Sequence, residues 1–375
     1  MIRDGPRTGI LDLLDLETRT RSMSRRSSLI MAAERAKEKS QSPEAAAAPE
    51  TLQLENQLEA DDGIPENDSS FDGEERSSSY LSSLKSSIYN YRYDNGRRYH
   101  AFREGTYLVP NDDKEQSRMD LVHHIYSLVL QGKLHLAPIG NNPQRVLDLG
   151  TGTGIWAIDF ADEYPSAEVI GTDLSPIQPD WTPPNCFFEV DDFLDDWVYK
   201  KPFDFIHARE LEGCIADPEK LFQEAFENLA PGGYFELQAQ RGCFMSDDGT
   251  AENATVLQDW AAKILESSEK FGKPIDCAHK WKEVVERVGF VDVHEEVRKI
   301  PIGPWPKDPA LKEIGKCQLV QSSQAIESYT PKLFGGLLGW STEEIDVMMA
   351  QAKNELRNRS IHLYLPVYII WGKKP

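Results

Sequence analysis

The residues with the clearest chemical potential in this 375-residue chain form one short run, Asp148-Leu-Gly-Thr-Gly-Thr-Gly154. Glycine at three alternate positions lets the backbone turn tightly and lets a ligand approach bare peptide, because glycine has no Cβ atom. The run follows an apolar stretch, Arg145 to Gly150, and precedes a helical pattern from Ile155 to Glu163. The free N–H groups of that helix would face the same ligand. We therefore predict a ligand-binding turn between a strand and a helix.

Carboxylates beyond this run are spaced to complete a nucleoside site. Asp173 ends the next apolar stretch, where a carboxylate can accept hydrogen bonds from both hydroxyls of a ribose. Asp191 and Asp192 end the third stretch and can accept from the exocyclic amine of adenine, with Phe193 beside the ring. Asp148 suits a ligand with a positive amino group, because opposite charges attract at this range.

A dinucleotide is the competing ligand, because Gly152-x-Gly154-x-x-Ala157 also fits the fingerprint of NAD-binding folds. Asp148 would lie close to the pyrophosphate and repel it. The later strands, moreover, end in an antiparallel pair rather than in a second mononucleotide-binding half. An NAD-dependent oxidoreductase is therefore kept only as a remote alternative.

The sequence around these residues alternates between strand and helix patterns. Strands are predicted over 145–150, 167–173, 186–191, 203–208, 233–238, 291–300 and 363–371. Helices are predicted over 111–131 with Asn111 as cap, 217–229 with Asp217 as cap, 255–271, 279–288, 312–324 and 342–357. Connections long enough for a helix indicate parallel strands with both sheet faces covered. The predicted fold class is α/β, a doubly wound, mostly parallel, seven-stranded sheet with a helical insertion at 301–360, before the last strand.

Composition and charge restrict the function further. Asp and Glu number 62 against 41 Lys and Arg, a net charge of −21, which disfavours direct binding of nucleic acid. Five scattered cysteines without a C-x-x-C pair predict neither a disulfide framework nor a metal site, and favour a reducing compartment such as the cytoplasm or nucleus. No stretch approaches the roughly 18 to 20 apolar residues that a membrane span needs.

The composition also divides the chain in two. Residues 1–79 are rich in Ser, Glu, Ala and Arg, and we expect a disordered acidic and Ser-rich tail and linker. Arg25 and Arg26, beside serines, are a candidate phosphorylation or nuclear-import element, although a merely solvated tail is the alternative. We expect the folded domain to span 80–375, beginning near Tyr80, where aromatic residues become dense.

These motifs resemble a known family. D-L-G-T-G-T-G, the D-D-F after the third strand and N-L-x-P-G-G-Y-F-E-L look like class I S-adenosylmethionine-dependent methyltransferases, whose fold is a Rossmann-like sheet. A narrower resemblance, to fungal LaeA-like methyltransferases, rests on the sequences at 95–112 and 150–179 and on D-D-W at 195–197. The resemblance covers about 95–375, so the tail lies outside it.

The resemblance implies S-adenosylmethionine as cofactor and a set of residues that bind it. The glycines would line its methionine part, with Asp148 near the amino group, Asp173 on the ribose, and Asp192 with Phe193 on the adenine. The predicted cofactor-binding residues are Asp148, Gly150, Thr151, Gly152, Gly154, Asp173, Leu174, Asp191, Asp192 and Phe193. Two alternatives stay open: the glycines could serve only helix packing, and the acids could be helix caps. The family also places the segment before the first strand, 80–140, near the site as a lid.

The resemblance further implies in-line transfer of a methyl group to a protein or a small metabolite, with a role in fungal secondary metabolism or development. Because the donor is already activated, no catalytic dyad is required, and the sequence identifies none. His207, Arg209 and Tyr99 are weak candidates. The alternative function is a cofactor-binding regulatory subunit that acts through protein partners, which the resemblance suggests are of the velvet type.

Overall fold

The computed structural model describes residues 91–94 and 96–375. Its strands are β1 Arg92–Asp94, β2 Arg97–Tyr99, β3 Arg145–Leu149, β4 Glu168–Asp173, β5 Cys186–Val190, β6 Phe203–Arg209, β7 Leu229–Gln240, β8 Val291–Pro301 and β9 Tyr364–Lys373. Its α-helices are α1 Asp113–Val129, α2 Ile155–Glu163, α3 Pro218–Asn228, α4 Thr255–Phe271, α5 Trp281–Val288, α6 Pro309–Thr330 and α7 Thr342–Leu356. The predictions for the 1–79 tail, its basic element and the start of order near Tyr80 lie outside the described residues.

Seven of the strands form one sheet in the order β5-β4-β3-β6-β7-β9-β8. The strands from β5 to β7 run parallel, and β9 is antiparallel to both of its neighbours, β7 and β8. β1 and β2 form a separate antiparallel hairpin that the sequence patterns did not predict. The predicted doubly wound, mostly parallel, seven-stranded sheet is therefore confirmed.

Both faces of the sheet are buried, because successive side chains of a strand point to opposite sides. Val146 packs on one face, in a cluster that includes Phe160 of α2. Leu147 packs on the other face, in a cluster that includes Phe222 of α3 and Trp281 of α5. Adjacent residues of β3 thus anchor the two helical layers, and the end of this strand is held in place from both sides.

Two crossovers lack a helix, although the sheet is doubly wound. The chain passes from β4 to β5 through 174–185 and from β5 to β6 through 191–202 in irregular structure. The first connection contains four prolines, which remove backbone donors and block helix formation. The outer strand β5 is therefore only partly covered, and Phe187 is half exposed.

The observed helix caps agree with the caps predicted from the sequence, with one difference. Asp217 caps α3 as predicted, and its carboxylate accepts from the backbone N of Lys220 at 3.1 Å. The cap of α1 is Asp112 rather than the predicted Asn111. Asp112 accepts from the backbone N of Glu115, whereas the Asn111 amide donates to the hydroxyl of Ser175 at 3.2 Å. Asn111 therefore ties the start of α1 to the segment after β4.

The helical insertion lies between β8 and β9, as predicted. It contains α6, a π-helical stretch Pro331–Leu338 and α7, and its buried core includes Phe334 and Ile345 together with Leu257 of α4. α6 is longer than predicted because Asp308 caps it and Pro309 occupies its first position, where proline is tolerated. Among the described helices, none combines the length and the apolar character needed to cross a membrane.

Candidate active site

A cavity of about 300 Å³ opens at the carboxyl ends of β3, β4 and β6. Carboxyl ends of parallel strands meet at one edge of the sheet, and this edge is where doubly wound folds bind ligands. The glycine turn after β3 forms one side of the cavity, and side chains from α1, α4 and α6 form the opposite side. The cavity therefore joins the predicted nucleoside site to the helical insertion.

The three glycines of the turn have left-handed backbone conformations, with φ of +63° at Gly150, +58° at Gly152 and +80° at Gly154. Glycine adopts this region without strain. A Cβ atom on Gly152 would meet only one described atom within 4 Å, Sδ of Met119 at 3.1 Å, and Gly152 lines the cavity. A Cβ atom on Gly154 would lie 2.3 Å from the ring of Phe188, outside the cavity lining. Gly152 thus exposes bare peptide to a ligand, while Gly154 allows close packing against β5.

Asp173 connects the end of β4 to the glycine turn. Its Oδ2 accepts from the backbone N of Gly152 at 3.0 Å, and its Oδ1 accepts from the backbone N of Ser175 at 2.8 Å. Burial raises the pKa of Asp173 to about 6, although the two backbone donors act in the opposite direction. Each carboxylate oxygen has further lone pairs, and Asp173 lines the cavity, so it can still accept from a ligand.

Asp148 and His207 form a buried pair beneath the turn. His207 Nδ1 lies 2.7 Å from Oδ1 of Asp148, and the hydroxyl of Thr151 donates to the other oxygen at 2.6 Å. The His207 ring stacks on Trp156 with centroids 3.7 Å apart. Burial lowers the pKa of His207 to about 4, against the effect of Asp148, so the ring is neutral near pH 7 and donates from Nδ1. His207 therefore orients Asp148, which lines the cavity as predicted for a group near a ligand amine.

The predicted adenine end contains most of the expected residues. Leu174, Asp192 and Phe193 line the cavity, and Asp192 is buried. Asp191 does not line it, and its carboxylate instead accepts from the backbone N of Asp192 at 2.9 Å. Arg103 Nε lies 3.8 Å from Oδ2 of Asp192, so the segment before α1 reaches this end of the cavity.

The catalytic candidates differ in their position. His207 and Arg209 line the cavity, whereas Tyr99 does not. Arg209 donates to Oε1 of Gln238 at 2.8 Å, and its guanidinium lies 4.6 Å from the centre of the Tyr126 ring. Burial lowers the pKa of Arg209. Arg209 is therefore held within the wall by protein groups, and Tyr99 packs in the interior.

Sequence reasoning missed most of the wall opposite the glycine turn, apart from Tyr107 in the predicted lid segment 80–140. The wall includes Tyr107, Arg118, Glu212, Phe244, Trp260 and Tyr329. The aromatic residues Trp305, Phe334, Trp340 and Tyr364 of the insertion and last strand do not line the cavity. The only local signal was the acidic E-L-E that follows β6 at 210–212, because the other groups come from separate helices and loops.

Comparison with known proteins places the chain in a family. A family described as Methyltransferase domain matches residues 110–295. The methyltransferase pytC of Aspergillus terreus is 40% identical over 79% of this chain and 92% of its own length. The secondary metabolism regulator LAE1 of Cochliobolus heterostrophus is 34% identical over 75% of this chain and 94% of its own length. The chain belongs to the LaeA-like family of S-adenosylmethionine-dependent methyltransferases.

This family membership confirms the expected cofactor, S-adenosylmethionine, and leaves no support for the NAD-dependent alternative. The regulator laeA of Aspergillus fumigatus is another relative, 33% identical over 75% of this chain and 76% of its own length. Among solved structures, phosphoethanolamine N-methyltransferase 2 of Haemonchus contortus covers 68% of this chain and 53% of its own, with 20% identity and a TM-score of 0.39, which is a distant likeness. The LaeA-like chain thus combines a known reaction class with an acceptor that remains to be assigned.

Proposed function

We propose that this LaeA-like methyltransferase methylates a small, largely apolar molecule inside the described cavity. The observation that supports this is the continuity of one space from the glycine turn to a wall that contains Phe244, Trp260 and Ile264. Concave sites with apolar walls and a few convergent polar groups are typical of small-molecule binding. A side chain on a folded protein surface would have to reach past this wall. A small acceptor therefore fits better than a protein.

We propose that the turn and the two acidic strand ends hold the cofactor. The open face of Gly152 fits the methionine part, the Asp173 carboxylate can accept from ribose hydroxyls, and Asp192 with Phe193 can receive the adenine. When bound, S-adenosylmethionine supplies a methyl group that is already activated for transfer. The protein's own task is then to orient the acceptor and to exclude water.

The segment before α1 is proposed to exclude that water. Tyr107 lines the cavity, and Lys273 of the segment after α4 donates to the backbone carbonyl of Thr106 at 2.7 Å. Arg103 forms an ion pair with Asp195 on the adenine side. These contacts attach both ends of the segment 103–107 across the cavity. They support its assignment as a lid within 80–140.

Radiolabelled methyl transfer tests the proposal. The purified full chain would be incubated with tritiated S-adenosylmethionine and either the protein fraction or the low-molecular-weight fraction of a fungal culture extract. We expect label in the low-molecular-weight fraction, and none with Gly152→Val, in which a β-branched side chain blocks the turn. Label that appears only in protein would overturn the small-molecule proposal.

A second candidate function follows from the names of the relatives, several of which are secondary metabolism regulators. The chain would then act in the nucleus or cytoplasm through protein partners, which we propose to be of the velvet type. A host that lacks this gene separates the two candidates. Restoration of metabolite production by Gly152→Val would favour the regulatory role, and restoration only by the unmodified chain would favour catalysis.

A further inference from the structure

Two glutamates follow β6 on either side of Leu211, and both line the cavity. A Cβ atom on Gly150 would lie 2.6 Å from Cδ2 of Leu211, so the segment that contains Glu210 and Glu212 is in contact with the glycine turn. β3 and β6 are paired neighbours, which explains why these two strand ends meet. The carboxylates therefore stand beside the place where the cofactor would lie.

The hydrogen bonds of the pair leave Oε2 of each glutamate without a partner among the described residues. Oε1 of Glu210 accepts from Nε2 of Gln240 at 3.0 Å and also from the hydroxyl of Tyr126. Oε1 of Glu212 accepts from the backbone N of Gln240 at 3.1 Å. Oε2 of Glu212 is buried and has no hydrogen-bond partner within the described part of the chain. Buried polar atoms are nearly always paired, so an unpaired oxygen in a cavity wall indicates a ligand donor.

Arg118 of α1 contributes an unpaired hydrogen-bond donor to the same wall. Nε and Nη2 of Arg118 both contact Oε1 of Glu115 at 2.7 Å, and the guanidinium lies 5.5 Å from the centre of the Tyr329 ring. Nη1 of Arg118 is buried without a partner among the residues that the structure describes. Arg118 lines the same cavity as Glu212. The wall thus contains unpaired acceptor oxygens and one unpaired donor.

Burial raises the pKa values of the two glutamates, and their mutual repulsion determines how the pair takes up protons. Burial raises the pKa of Glu212 well above its ordinary value, and the neighbouring charge of Glu210 acts in the same direction. Burial likewise raises the pKa of Glu210. Two adjacent buried carboxylates disfavour double ionisation, so the pair holds one proton, mainly on Glu212, and the carboxylate that stays ionised can accept a second. The titratable and charged groups that interact electrostatically with Glu212 are Glu210, Arg118, Cys214, Cys277 and Tyr329. Tyr126 donates a hydrogen bond to Glu210.

We propose that the Glu210–Glu212 pair is the general base for methylation of a hydroxyl group on a flat aromatic or enolic acceptor, and that Arg118 binds a second oxygen of the same molecule. This inference rests on the proposed small-molecule function. The hydroxyl oxygen forms its bond to the methyl carbon, the carbon–sulfur bond breaks with its electron pair left on sulfur, and the hydroxyl proton passes to the ionised carboxylate of the pair. An aromatic amine is disfavoured because its nitrogen lone pair is delocalised into the ring and accepts more weakly from the N–H of Arg118 than a hydroxyl oxygen does.

A matched pair of probes tests the acceptor class. 2,3-Dihydroxynaphthalene and 2,3-diaminonaphthalene have the same flat ring system and differ only in the reacting atoms. Binding to the full chain saturated with S-adenosylhomocysteine would be measured by calorimetry, and methyl transfer from tritiated S-adenosylmethionine would be measured separately. We expect the diol to bind at least about tenfold more tightly and to be methylated at the faster rate, since only the diol satisfies both kinds of unpaired atom.

The double variant Glu210→Gln with Glu212→Gln tests the pair while keeping the shape of both side chains. We expect the rate with the diol near neutral pH to fall by about 10² to 10⁴, as for loss of a general base, and to recover as the pH rises and the diol ionises by itself. The affinity for S-adenosylhomocysteine and the melting temperature should stay unchanged. Glu252→Gln, at an exposed glutamate, is the matched control and should behave as the unmodified chain.

Several results would overturn the inference. They are equal or greater affinity for the diamine, no label on the diol although S-adenosylhomocysteine binds, and a pH–rate profile of the double variant that runs parallel to that of the unmodified chain. If the unmodified chain fails to bind S-adenosylhomocysteine, the proposed function fails first and the inference with it. The two failures are therefore distinguishable.

Discussion

Gly154→Ala should destabilise the fold through two separate effects. Gly154 has φ of +80°, a conformation that costs a residue with a Cβ atom about 1–2 kcal/mol. The added Cβ atom would also lie 2.3 Å from Cζ and 2.8 Å from Cε1 of Phe188, too close without movement of that ring in β5. Overpacking of this kind costs about 1–3 kcal/mol. The expected loss in the free energy of unfolding is therefore about 2–5 kcal/mol.

The two effects can be separated by guanidinium denaturation followed by tryptophan fluorescence. Gly249 has a similar φ of +78° but no described atom within 4 Å of its Cβ position, so Gly249→Ala should show the backbone effect alone. Gly336 has neither a left-handed conformation nor a close neighbour, so Gly336→Ala should be nearly neutral or slightly stabilising. Equal losses for Gly154→Ala and Gly249→Ala would refute the packing role of Gly154.

Three further predictions concern other parts of the molecule. Because the proposed ribose hydroxyl would donate to the ionised form of Asp173, whose pKa burial raises to about 6, affinity for S-adenosylhomocysteine should increase as pH rises through that value. Asp173→Asn should remove this pH dependence in calorimetric titrations, and a dependence that persists would assign it to another group. Asp217→Ala should lower the free energy of unfolding by about 1 kcal/mol through loss of the α3 cap, whereas an unchanged denaturation midpoint would contradict that role. Phe334→Ala should lower it by about 3–5 kcal/mol, because Phe334 is fully buried in the core of the insertion. A loss below that of the cap variant would place Phe334 outside a packed core.

The strands around the cofactor site were predictable because their signals are local. Arg145–Leu149 and Glu168–Asp173 each combine a short apolar run with a turn signal, and the structure places both within one or two residues of the prediction. The beginning of β7 differs. It starts at Leu229 rather than Gly233, because Leu229 pairs with Phe203 before a register shift. Such long-range pairing leaves no local pattern in the sequence.

The cofactor side of the site was more predictable than the acceptor side. Gly152 and Asp173 belong to strand ends that a parallel sheet necessarily brings together, so their spacing alone suggests a shared site. No comparable rule of sheet geometry brings together the residues of the acceptor wall. Arg118, Trp260 and Tyr329 come from three helices, and their convergence depends on how the insertion packs against α1 and α4.

The separate roles of the three glycines could not be predicted from their spacing. Each has a left-handed backbone, yet Gly152 opens to the cavity while Gly154 faces Phe188. The difference depends on which side chain of the neighbouring strand approaches the turn. That side chain lies more than thirty positions further along the chain.

The central claim is that the glycine turn after β3 receives S-adenosylmethionine. Equilibrium binding of S-adenosylhomocysteine to the purified full chain and to Gly152→Val, measured by calorimetry, tests it most directly. We predict saturable one-to-one binding by the unmodified chain and no measurable binding by the variant, with both proteins folded by circular dichroism. Equal affinity of the two folded proteins, or no binding to either at millimolar ligand, would contradict the claim.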